Sequence, residues 1–163
     1  MRTPTSIAFR AVFSGSKVCS IQSLTHGAAN EQGRLRINVL FTDYAETLEA
    51  LKSVTALTAG LPAEVTLLVP VTVPYPLLLE EPPVPLGFVC RRITELAASV
   101  TGDADFGAYI YLCRNPAETI LKALRPHSLV MVGVRRRWFF NKSKRFARKL
   151  RSQGHEVILA SNS

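Results

Sequence analysis

The chain has 163 residues, 47% of them hydrophobic, and a formal net charge of +8. That length suits one domain plus a tail, and that apolar fraction excludes a disordered polypeptide. No apolar run reaches the roughly 18–20 residues that span a bilayer as a helix, so no transmembrane segment is expected.

Residues 1–34 carry five serines, and before Glu31 they hold three bases and no acid. This composition predicts a disordered or targeting-like N-terminal extension. The apolar patch Ile7–Phe13 is broken by Arg10 and is too short for a secretory core.

From Leu35 onward two periodicities alternate. The run from Arg36 to Thr42 is β-branched and aromatic and predicts a first strand. Asp43 and Glu46 have capping-box spacing, so a helix follows, with Leu48, Leu51, Val54 and Leu57 near helical spacing and a stop at Gly60-Leu61-Pro62. Glu64 to Val73 is almost continuously apolar, the signature of a strand buried on both faces. Prolines 70, 74, 76, 82, 83 and 85 mark a long irregular connection. Val89, Ile93, Leu96 and Ala97 form a second helical stripe, and Gly107 to Cys113 reads as a third strand. Asn115-Pro116-Ala117-Glu118 opens a third helix: Asn caps, Pro occupies the first turn, and Glu stands at the third position. Ser128 to Val134 is a fourth strand, Asn141 to Gln153 a fourth helix stopped by Gly154, and Glu156 to Ala160 a fifth strand.

The alternation predicts an α/β fold. It would be a doubly wound, five-stranded parallel sheet of order 3-2-1-4-5 over residues 35–163, with helices on both faces. Ligands bind such sheets at the carboxyl ends of the strands, where the strand order reverses. That locates Thr42 and Asp43, at the end of the first strand, beside Gly133, Val134, Arg135 and Arg136, at the end of the fourth. Asp43 is both a helix N-cap and a carboxylate at the rim of this crevice. Gly133 would let a ligand approach the backbone, and the arginines would bind phosphate bidentately. Trp138, Phe139 and Phe140 follow, able to pin the loop or to stack a base.

Charge is concentrated in one segment. Residues 119–155 hold eleven lysines and arginines and no acid, whereas residues 31–118 hold eleven acids against six bases. The basic segment 135–151 comprises Arg135, Arg136, Arg137, Lys142, Lys144, Arg145, Arg148, Lys149 and Arg151. It makes a local positive field that attracts anions. Ser143, at the start of the fourth helix, would add a hydroxyl and free backbone N–H groups for an anion.

Cys19, Cys90 and Cys113 are far apart with no CxxC spacing. Unlinked thiols in a reducing cytosol are expected, with no metal site. There is no glycine-rich Walker loop, nucleophile elbow or HExxH, so no enzyme is expected.

Three motifs carry a family resemblance: Ile37-Asn-Val-Leu-Phe-Thr-Asp43, Asn115-Pro-Ala-Glu-Thr-Ile120 and Ser128-Leu-Val-Met-Val-Gly133. In this order and spacing, span 36–161 resembles the universal stress protein superfamily, of the adenine-nucleotide alpha-hydrolase-like group. The resemblance implies a cytoplasmic, non-enzymatic stress-response module. It also implies a weak nucleotide or phosphate site for ATP, AMP or another phosphorylated ligand, and a homodimer paired through the last strand. Nucleotide-binding members carry a second glycine three residues after the first and a later Gly-Ser or Gly-Thr pair. Those positions are Arg136 and Lys142-Ser143 here, so the loop is degenerate and charge would replace backbone cradling. The alternative expectation is non-specific nucleic-acid or anionic-surface binding through segment 135–151.

Overall fold

The computed structural model describes residues 5–14, 18–23, 34–99, 104–134 and 142–161, with side chains not described for 12–14 and 18–23. Seven strands form one sheet in the order β2-β1-β5-β4-β3-β6-β7. In chain order the elements are β1 (Ser6–Ser14), β2 (Val18–Ser23), β3 (Leu35–Leu40), α1 (Tyr44–Leu57), β4 (Ala63–Thr72) and α2 (Leu86–Ala97). Then come β5 (Asp105–Cys113), α3 (Pro116–Ala123), β6 (Leu129–Val134), α4 (Lys142–Ser152) and β7 (Glu156–Ser161).

The four helices lie where the 3.6-residue periodicity placed them. The sheet differs from the five-stranded, wholly parallel one expected. The five strands from β3 to β7 are parallel and run β5-β4-β3-β6-β7. Two antiparallel strands from the supposed tail extend the sheet beyond β5. β1 lies against β5 in the register Ser6↔Cys113 to Ala11↔Ala108. The cause is the two-residue period of a strand. Ile7, Phe9 and Ala11 join the main core, while Arg10 points to the other face and is exposed. Arg10 therefore marks strand alternation, where the sequence had suggested an interruption.

Burial on both faces explains the apolar runs. Ile37, Val39, Val65, Leu67 and Val69 pack with Leu51 and Val54 of α1 and Ile93 and Leu96 of α2. Leu40, Leu68, Val130 and Val132 pack on the opposite face with Ile120 of α3 and Leu150 of α4. Helices α1 and α2 thus cover one face and α3 and α4 the other. The reversal falls between β3 and β6, which are paired in register from Ile37↔Leu129 to Leu40↔Val132.

The proline-rich connection after β4 is held by Arg114. Its guanidinium donates to the carbonyl oxygens of Val73 (2.7 Å) and Leu77 (2.8 Å) and lies 4.1 Å over the Tyr75 ring. The donors of one planar fork thereby satisfy carbonyls that no strand or helix could reach.

Cys90 is disulfide-bonded, contrary to the expectation of unlinked thiols, and Cys113 is the free cysteine among the described residues. Disulfides depend on approach in space, so the absence of a CxxC spacing carried no information about Cys90. The cysteines therefore no longer argue for a reducing compartment. Among the described residues no helix is long and apolar enough to cross a membrane.

Candidate functional site

A cleft of about 630 Å³ opens over the carboxyl ends of β3 and β4, between α3 and α4. Its polar lining consists of Thr42, Thr72, Asn115, Lys142, Ser143, Arg145 and Lys149. The remainder is apolar, with Phe41, Pro70, Pro116, Ile120 and Phe146 prominent. No acidic side chain lines it among the described residues.

Local sequence explains each wall. Helix α4 buries Ser143, Ala147 and Leu150 against the sheet. With 100° between successive residues, Lys142, Arg145 and Lys149 then form a row on the cleft side. All three are exposed. The first turn of α4 contains no acid to offset its dipole, so an anion seated there would relieve an unfavourable charge arrangement. The α3 wall begins at Asn115, whose side chain accepts from the Glu118 N–H (3.2 Å), with Pro116 in the first turn. Glu118 pairs with Lys122 at 2.7 Å. That hydrogen bond and the Lys122 charge, and more weakly the charge of Lys149, hold its carboxyl below the usual range.

Beneath the cleft lies a feature that sequence reasoning missed. Glu46, on the first turn of α1, is buried at 8% exposure. Its Oε2 accepts hydrogen bonds from the hydroxyls of Thr42 (2.7 Å) and Ser143 (3.2 Å). A hydroxyl has one proton to donate. With that proton given to Glu46, each hydroxyl presents only lone pairs toward the cleft. Thr42 and Ser143 line the cleft as expected, but neither is arranged to donate to a phosphate. The sequence showed Glu46 only as a capping-box partner, because its link to Ser143 spans 97 residues and leaves no local pattern.

Asp43 is the N-cap of α1. Its φ of −130° and ψ of 171° are extended, and its Oδ1 accepts from the Glu46 N–H at 2.8 Å. It does not line the basic cleft. It borders a separate cavity of about 320 Å³ on the α1/α2 side, with Tyr44, Val84, Phe88 and Arg92; the two cavities share Phe41 and Pro70. Asp43→Ala should therefore cost about 1 kcal/mol of stability. Asp43→Asn, which caps equally well, should leave the denaturant midpoint unchanged. An equal loss in both variants would show that the charge, and not the cap, is what matters.

Gly133 also has a role other than the one expected. A Cβ built there would lie 1.9 Å from the Glu46 carbonyl oxygen and 2.5 Å from its carbon. The absent side chain makes room for the backbone of α1, and no ligand is needed to explain it. Val134 is buried, and neither residue lines the cleft. Arg135, Arg136 and Arg137, with the aromatic triplet after them, lie outside the described residues. The remaining basic residues, Lys144, Arg148 and Arg151, are exposed on α4 away from the cleft.

Among the described residues, groups suited to proton or acyl transfer do not gather here. Burial pushes the Cys113 thiol up, against a smaller lowering by a Thr119 hydrogen bond, and a neutral thiol is a poor nucleophile. His127 and His155 stand at the amino ends of β6 and β7, the end of the sheet opposite the cleft. Their Nδ1 atoms contact the Gly154 carbonyl oxygen (3.3 Å) and the Ser128 N–H (3.2 Å). No group of three or more metal-ligating side chains occurs among the described residues.

No protein-family model matches the chain, and the searches of curated proteins and of solved structures returned no match.

Proposed function

We propose that this chain is a non-enzymatic regulatory module that binds a phosphorylated small molecule, of which AMP and ATP are the simplest representatives, in the cleft between α3 and α4. One observation carries the reading: Lys142, Arg145 and Lys149 form a single row along a cleft with no carboxylate in its described lining. A volume of about 630 Å³ falls within the range of small-molecule sites. The apolar bed of Phe41, Pro70, Ile120 and Phe146 suits a ring, and the three cations suit phosphate oxygens.

In this reading the universal stress protein resemblance describes a divergent member. Side-chain charge holds the phosphates where relatives would use a glycine loop, with Arg136 standing at the second family glycine. The role in stress response, the cytoplasmic setting and the homodimer through β7 belong to the same proposal. The exposed side of β7, with Ile158 at 38% exposure, supports the last of these.

Titration calorimetry at low salt with AMP, ATP, pyrophosphate and adenosine tests the reading. Nucleotides and pyrophosphate should compete for one site and weaken as salt rises, while adenosine binds poorly. Absence of heat at millimolar ligand, or adenosine binding as well as AMP, would refute it.

A further inference from the structure

The six cations of α4 cover one continuous arc opposite its buried stripe of Ser143, Ala147 and Leu150, which faces the sheet. They differ in what they border: Lys142, Arg145 and Lys149 line the cleft, whereas Lys144, Arg148 and Arg151, farther round the helix, do not, and the two rows come within about 60° of each other at Arg145 and Arg148. All six are exposed, and none forms an ion pair among the described residues. Arg151 instead leans on the edge strand, donating to the Val157 carbonyl oxygen at 3.0 Å.

We infer that the outer row, Lys144-Arg148-Arg151, is a docking ridge for the phosphate backbone of a duplex nucleic acid, independent of the cleft. The row spans seven residues, or about 10.5 Å of helix axis. Each of its three cations can neutralise one phosphate, on one strand or on the two strands that flank a groove. An anionic membrane is the poorer fit. A helix lying in a bilayer interface needs a free apolar face, and that of α4 is already spent, with Leu150 and Ala147 at 0% and 1% exposure against the sheet. The exposed side chains of α4 are its six cations and Ser152, and none of them can enter lipid. With α4 packed against the sheet and no groove-entering element beside it among the described residues, the row meets phosphates alone, so binding is insensitive to sequence.

Fluorescence anisotropy with a labelled mixed-sequence duplex of about 20 base pairs, from low to moderate salt, tests this. Three contacts contribute about −2.7 to the slope of log affinity against log salt. Lys144→Gln/Arg148→Gln/Arg151→Gln should flatten the slope by that amount and weaken low-salt binding at least tenfold, with AMP binding retained. Lys144→Gln/Arg148→Gln, which spares the Arg151 contact to β7, should flatten it by about 1.8 and guards against a folding artefact. No duplex binding by the parent at low salt overturns the inference. So does an unchanged slope in both variants, loss of AMP binding in the outer-row variants, or preferential binding of phosphatidylserine vesicles over duplex. Because AMP and duplex are read separately, failure here leaves the nucleotide reading standing, and the reverse holds.

Discussion

Gly133→Ala is expected to cost the fold about 3 kcal/mol, the upper end of ordinary overpacking. For a chain of this length that lowers Tm by about 9 °C. The added carbon would meet backbone, the carbonyl of Glu46 at 1.9 Å, so no side-chain rotation can relieve it. Either β6 or the first turn of α1 must move. Because Glu46 also holds Thr42 and Ser143, the strain should reach the floor of the cleft. Gly107→Ala is the control: nothing lies within 4 Å of a Cβ there, and it should be neutral or mildly stabilising. Thermal denaturation followed by circular dichroism reads both. A Tm for Gly133→Ala within about 2 °C of the parent would contradict the close packing of α1 on β6.

Replacing Lys142, Arg145 and Lys149 together by glutamine should weaken AMP and pyrophosphate binding at least about 100-fold. Each cation on a partly exposed phosphate contributes about 1 kcal/mol or more, and 1.4 kcal/mol is a factor of ten. Stability should barely change, since the three side chains are exposed and glutamine is a good helix former. Calorimetry on the folded variant gives the answer. Retained affinity would mean that the phosphates sit elsewhere, and the proposed function would fall with the site.

The parts of this fold that could be read from the chain are those governed by short-range rules. Asp43 and Asn115 cap the helices they precede because capping needs only a side-chain oxygen and an amide three residues on. The runs around Val39, Leu67 and Val132 announced strands buried on both faces. The parts that could not be read depend on distant meetings. Glu46 reaches Ser143 across 97 residues, and that contact decides which way the Ser143 hydroxyl points. Gly133 signalled close approach correctly, but the approaching body is α1 and no ligand is required. The hairpin at the amino end was hidden by composition, since serines and lone bases hid the alternation of Ile7, Phe9 and Ala11. The wheel of the basic helix shows one continuous cationic arc, and its division into cleft-lining and outer residues appears only once the sheet shows which flank borders a cavity.

The antiparallel pair β1–β2 has a practical consequence. A chain begun at Leu35, the apparent domain start, would strip the partner from β5 and open the core where Ile7, Phe9 and Ala11 had packed. Its raw margin, with backbone amides and carbonyls unclaimed, would recruit strands from other copies and precipitate. A piece meant to fold by itself should therefore keep β1 and β2, and the amino-terminal stretch that resembles packaging is the selvedge that keeps the cloth from fraying.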